Sequence, residues 1–200
     1  MEAAKTQEYR LSAGMFGGKR VLRINPAFLE YGQEGPEAGL YARVRKEDIA
    51  DIRHSMSWVI WYRFYVGCTF KIEVKTKDGN LVRIRFAAYF AKKGAYQDMY
   101  DDIMDLIWDY YLNDIVAERL QRFAAVPDME VGGLRLTEKG VYLPEREELV
   151  AWPDVAVKEY ETYFAVYNQR NPEINKRIEI DEWESELLLE MLEALQQQYS

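Results

Sequence analysis

The stretch Phe70-Lys71-Ile72-Glu73-Val74-Lys75, followed after Lys77-Asp78-Gly79-Asn80 by Val82-Arg83-Ile84-Arg85-Phe86, alternates apolar and charged residues on both sides of a turn. A period of two is the strand period, so Phe70, Ile72 and Val74 share one face and the charged residues take the other. Gly79 and Asn80 tolerate positive φ, and the stretch therefore reads as a β-hairpin. Its charged face collects Lys71, Lys75, Lys77, Arg83 and Arg85, a candidate anion-binding set.

Upstream, the apolar segments 21–24, 27–31, 40–44, 49–54 and 58–65 are separated at short spacing by Gly, Pro or charged residues, the pattern of an antiparallel meander. Segment 58–65 is unusually aromatic. Read as one strand, it puts Trp58, Ile60, Tyr62 and Phe64 on one side and Val59, Trp61, Arg63 and Tyr65 on the other. One set fills the core; the other must meet the second half of the chain, a partner or a ligand, because aromatic patches of that size are uncommon on monomer surfaces. Trp58, Trp61, Arg63 and Tyr65 are accordingly the candidate partner-binding residues.

Downstream, the period changes at Gly94. Tyr96, Tyr100, Ile103, Ile107 and Tyr111 fall on one side of a helix, and Asp98, Asp101, Asp102, Asp105 and Asp109 on the opposite side. Leu112, Val116, Leu120 and Phe123 then continue on the side the aspartates occupied, so the apolar stripe changes face near Asn113-Asp114. Either the helix breaks there, or one long helix packs its first half on the unit before it and its second half on the unit after it. Pro127 ends it.

Gly132-Gly133 opens a second strand-rich stretch over 134–136, 140–143, 148–152, 155–157, 163–167 and 177–180. A closing helix is predicted from Asp181 as N-cap with Glu184 three residues on, a capping box, and Leu187, Leu188, Met191, Leu192 and Leu195 form its apolar face. The order of strands then helix thus occurs twice. Val44-Arg45-Lys46-Glu47-Asp48-Ile49-Ala50 also aligns with Val150-Ala151-Trp152-Pro153-Asp154-Val155-Ala156, and an aromatic-rich strand follows each.

A meander of six or seven strands capped by one C-terminal helix, with a polar-Asp-Ile/Val element before a hydrophobic strand, resembles the bacterial pleckstrin-homology-like domains. The resemblance implies an α+β chain of two successive PH-like bent barrels, one over 8–125 including the long helix and a smaller one over 128–200, with an extra N-terminal segment in the first. It implies a binding scaffold for lipids, peptides or proteins, seldom an enzyme. Lipid-binding members carry basic residues on the loop between the first two strands; the nearest equivalents here are Lys19, Arg20 and Arg23, followed by Asn25-Pro26 and an acidic turn.

Composition agrees with a globular chain: 48% hydrophobic, 14% aromatic. The start lacks a basic region leading into an apolar run, and no run approaches the length of a membrane span, which places the protein in the cytoplasm. The single cysteine, Cys68, excludes an intrachain disulfide and a cysteine-based zinc site, and its strand setting reads as a buried thiol. The single histidine, His54, has only its chain neighbours Ser55 and Ser57 as nearby serines, which makes no triad. Ala13-Gly14-Met15-Phe16-Gly17-Gly18-Lys19 approaches a phosphate-binding loop, but Arg20 stands where a Ser or Thr must hold magnesium, and a strand follows where a helix must open; a hairpin loop is the reading. The stripe Asp98, Asp102, Asp105, Asp109 reads as a solvated face, not a metal site, since bundle metal sites draw ligands from several helices. Net charge is −8, with the basic residues concentrated before residue 95, and this overall acidity argues against nucleic acid. The expectation is a non-enzymatic interaction protein with a protein partner, no cofactor and no metal; the alternative is a peripheral module that binds anionic lipid or another polyanion through hairpin 70–86.

Overall fold

The computed structural model describes residues 6–12, 18–33, 39–89 and 93–199. The chain is mixed α+β; its described residues form four antiparallel sheets, and it divides into two compact units, 1–113 and 114–200. The division falls inside the helical region.

In the first unit, β1 (Gln7–Ser12), β2 (Lys19–Asn25), β3 (Phe28–Gln33) and β4 (Gly39–Arg45) form one sheet in sequence order. At the β2–β3 turn the Asn25 side-chain oxygen accepts the Ala27 N–H at 2.9 Å, a local bond that lets Asn-Pro reverse the chain. A 3-10 turn, Lys46–Asp48, leads into β5 (Ile49–Trp61), β6 (Phe64–Thr76) and β7 (Leu81–Tyr89), the second sheet. Hairpin β6–β7 is the one read from the alternation: Phe70, Ile72, Val74, Ile84 and Phe86 are buried, and Gly79 turns at φ 86°.

Three readings are corrected here. Residues 58–65 are not one strand: β5 runs unbroken from 49 to 61, the chain reverses at Tyr62-Arg63, and β6 begins at Phe64. The turn lacks the Gly or Asn that marks such reversals, and Tyr62 itself takes the positive φ, 55°. The N-terminal segment is no addition, because it is β1 and pairs with β2 from Gln7↔Ile24 to Ser12↔Lys19. The strand β8 (Asp128–Val131) also escaped the reading, being short and polar.

The helical region is continuous. α1 (Lys93–Ile107) passes through a π-helical turn, Trp108–Leu112, into α2 (Asn113–Ala125). The wider turn lies immediately before the point where the apolar stripe changes face, and it lets two consecutive side chains, Tyr111 and Leu112, both be fully buried. Upstream, Tyr100, Ile103 and Ile107 are buried in the first unit, where Tyr111 Oη donates to the carbonyls of Asn25 (2.8 Å) and Phe28 (2.7 Å). Downstream, Phe123 is buried in the core of the second unit, with Val116 and Leu120 packed against it.

The second unit repeats the order. β8, β9 (Leu134–Thr137), β10 (Gly140–Leu143) and β11 (Glu148–Ala151) form a four-stranded sheet; a 3-10 turn, Trp152–Asp154, leads to β12 (Val155–Glu159), β13 (Tyr163–Asn168) and β14 (Asn175–Glu179). The two 3-10 turns occupy aligned positions of the two matched heptapeptides, each flanked by buried aliphatics, Val44 and Ile49 in one, Val150 and Val155 in the other. Trp152 is buried and donates its indole N–H to the Thr137 carbonyl at 3.0 Å.

The closing helix α3 (Ser185–Tyr199) buries Leu187, Leu188, Met191, Leu192 and Leu195 as read, but it starts four residues after the predicted cap. Glu184 has φ 62° and makes no capping box; its carboxylate accepts the Arg119 guanidinium at 3.0 Å and the Gly132 N–H at 3.2 Å. The carboxylate thus serves a tertiary ion pair and a turn amide. No helix among the described residues is long and apolar enough to cross a membrane.

Candidate functional site

The two units differ most in one hairpin. From the aligned residues Ile49 and Val155 onward, β5 runs for thirteen residues where β12 runs for five, and β6 for thirteen where β13 has six. The shorter hairpin suffices to complete the same order of elements in the second unit. The surplus in the first, roughly residues 54–70, begins on the core, where Phe70 and Cys68 are buried, and runs on to a tip that has no counterpart in the second unit.

That surplus carries apolar side chains outward. Trp58 is 38% exposed, Ile60 59%, Tyr62 88% and Phe64 72%, with Arg63 exposed beside them. On β5 the even-numbered residues begin on the core face, where Ile52 is buried and His54 Nδ1 meets Tyr100 Oη at 2.5 Å. The same side continues toward the tip, and there Met56 and Trp58 are partly exposed. A register shift at Val59/Ile60 then turns the ribbon before the tip. Of the candidate partner residues, Trp58 and Arg63 belong to this tip; Trp61 and Tyr65 flank it in sequence, and their side chains lie outside the described residues.

Farther back, the outer face of the sheet is cationic around one carboxylate. Glu73 is buried to 1% exposure and accepts Arg53 Nη2 at 2.7 Å, Lys71 Nζ at 2.6 Å and Arg83 Nε at 2.9 Å. Burial by itself would push its carboxyl up, but hydrogen bonds from Lys71, Arg83 and Arg53 outweigh that and hold it at about 2. Three cations thus share one anion, and the excess positive charge faces solvent. Lys71, Arg83 and Arg85 from the sequence set converge here together with Arg53. Lys75 stands one position farther from the tip, and Lys77 lies in the turn at the opposite end of β6, roughly 40 Å from the tip at about 3.3 Å per residue.

Strand register makes a hollow between these features. Three cross-strand rows follow one another toward the tip: Ser55–Lys71–Arg85, then Ser57–Thr69–Ala87, then Val59–Gly67–Tyr89. The middle row is all small, while the outer rows carry the long Lys71 and Arg85 on one side and the Tyr89 ring on the other. A cavity of about 300 Å³ results. Gly67 lets the strands close beneath it, since a Cβ there would stand 2.3 Å from the Ala88 carbonyl oxygen.

Cys68 is buried in β6. The side chains of Asp98, Asp101, Asp102, Asp105 and Asp109 are exposed, and Asp102 accepts the Tyr9 hydroxyl at 2.5 Å; burial, and after it this bond, raises the phenol above its ordinary range. The loop 13–17 lies outside the described residues; Lys19 and Arg20 begin strand β2, and Arg20 is engaged by Gln33 and Tyr41. Arg23 pairs with Glu8 and Glu30. Thr69, Ala87 and Tyr89 were not singled out from the sequence, and Ser55 and Ser57 entered only as chain neighbours of His54, because only strand register brings the five into one hollow.

No protein-family model, no curated protein and no solved structure matches the chain.

Proposed function

We propose that the protein is a non-enzymatic interaction module of two PH-like units, and that the surface it meets is an anionic lipid–water interface engaged by the tip of hairpin β5–β6. The observation that carries this is the exposure of Trp58, Ile60, Tyr62 and Phe64 on a length of hairpin that the equivalent element of the second unit lacks.

Trp and Tyr rings favour the headgroup level of a bilayer, and the Ile and Phe side chains favour the layer beneath it. Moving such side chains from water contributes about 1–3 kcal/mol each when burial is full. Basic residues near an anionic surface add about 1 kcal/mol each. Tip and cationic face together suit reversible peripheral attachment. The PH-like resemblance agrees with a binding role, although the hairpin in question is not the loop that lipid-binding members use.

Flotation with phosphatidylcholine vesicles, with and without phosphatidylserine, at physiological salt tests the reading. The chain should float with the anionic vesicles and remain in solution when Ile60→Ser and Phe64→Ser are combined. If the unaltered chain fails to float, the membrane reading is wrong and the tip is a protein-docking surface.

A further inference from the structure

We propose that the hollow across Ser57, Thr69 and Ala87 is an oxyanion site that takes the phosphate group of a ligand, with Arg85 as its principal contact.

Four features carry it. First, the Arg85 guanidinium has no carboxylate partner among the described residues, whereas the neighbouring cations Arg53, Lys71 and Arg83 are all drawn to Glu73. An arginine left with its planar fork of donors beside a cavity is suited to two oxygens of one anion. Second, three hydroxyl groups, on Ser55, Ser57 and Thr69, line the same cavity. Thr69 Oγ1 makes only a long bond, 3.4 Å, to the Ser57 carbonyl. Hydroxyls rotate to donate, and several donors lining one cavity suit a tetrahedral oxyanion. Third, Glu73, the carboxylate nearest in the register, cannot repel an incoming anion strongly, because it is buried and neutralised from three sides. Lys71 keeps donors to spare after its single bond to Glu73. Fourth, the volume of about 300 Å³ exceeds what a phosphate fills and leaves room for the group that bears it, with the Tyr89 ring as an apolar wall.

The site lies on the same surplus length of hairpin as the apolar tip, about five residues behind it, or roughly 16 Å along the strand. That spacing admits either of two sources for the phosphate, a lipid headgroup when the tip is inserted or a soluble phosphorylated molecule. The site stands independently of the membrane reading.

The test is a titration of the full chain with inorganic phosphate, followed by amide NMR shifts of residues 55–57, 69–71 and 85–89. Saturable shifts confined to these residues are expected. Arg85→Gln should weaken the affinity by about tenfold or more, as loss of a charge-assisted pair does. Ala87→Leu fills the floor without changing charge and should abolish binding; Ser57→Ala with Thr69→Val, which leaves volume nearly unchanged, should weaken it if Ala87→Leu fails to fold. Lys77→Gln removes the same charge far from the hollow and should change little. Equal losses from Lys77→Gln and Arg85→Gln, or an absence of saturation, would overturn the site in favour of diffuse attraction. A vesicle arm separates the sources: flotation that Arg85→Gln and the tip variant both abolish assigns a lipid phosphate. Phosphate binding with no flotation assigns a soluble ligand and leaves the site standing while the membrane reading falls. Flotation that needs the tip and is indifferent to Arg85 and Ala87, with no phosphate bound, overturns the site alone.

Discussion

Glu73 and Arg83 stand opposite one another in the register of β6 and β7, with the arginine Nε 2.9 Å from a carboxylate oxygen that is almost wholly shielded from water. Arg53 and Lys71 take the other oxygen. Of the four groups Glu73 is the one shielded from water, so its charge depends on the three part-exposed cations around it for compensation.

The carboxyl of Glu73 titrates at about 2 in the folded protein against 4.5 for a free glutamate. A depressed folded pKa contributes stability that is complete above the free value and is lost as pH falls through the folded one. The first unit should therefore lose at most about 3 kcal/mol between pH 4.5 and pH 2 from this group. Melting curves of the protein and of Glu73→Gln should differ most at neutral pH and converge near the lower limit; a constant difference would show that the ion cluster does not contribute through its charge.

Phe123→Ala should destabilise the second unit by about 3–5 kcal/mol, because its ring is 1% exposed in a core with Trp152, Phe164 and Leu192. Hydrogen exchange would register the loss across β8–β14 and α3. Protection in β5–β7 should persist, since those strands draw their core from Ile72, Ile84 and Ile103.

Glu184→Ala removes two contacts at once, the ion pair to Arg119 and the acceptor for the Gly132 N–H. A cost of about 1–3 kcal/mol is expected in urea denaturation. Glu184→Gly should cost less than the alanine variant, because glycine occupies φ 62° without strain. Equal costs would mean that the backbone conformation at this position contributes nothing.

Ile60→Ser and Phe64→Ser should leave the melting temperature unchanged within about 1 °C, as exposed positions away from structural features do, or raise solubility. These side chains are 59% and 72% exposed. A large drop in melting temperature would show that the tip is structural.

Local pattern was enough to give most elements of this fold. Alternation around Lys77-Asp78-Gly79-Asn80 determined hairpin β6–β7, the 3.6-residue period determined the helices and the change of apolar face near Asn113, and the matched heptapeptides marked two equivalent 3-10 turns. These features are set by which side chains a residue's own strand or helix places beside it, and such neighbours are legible in order along the chain.

The candidate site was not legible, because its parts are neighbours only across strands. A reversal at Tyr62-Arg63 without Gly or Asn folds an apparent single strand into a tip and thereby exposes one apolar row instead of burying it. Pairing then decides that Thr69 faces Ser57 and Ala87, and that Arg85 stands beside Lys71, a fact of register that no stretch of sequence states by itself. Glu184 shows the same limit at a helix end, where a tertiary ion pair and a turn amide take the carboxylate that the local sequence offers to a cap. The sequence by itself determined the elements and their repetition, since those depend on local periodicity; only the tertiary structure decided which of their residues meet, since that depends on where distant backbone hydrogen bonds fall.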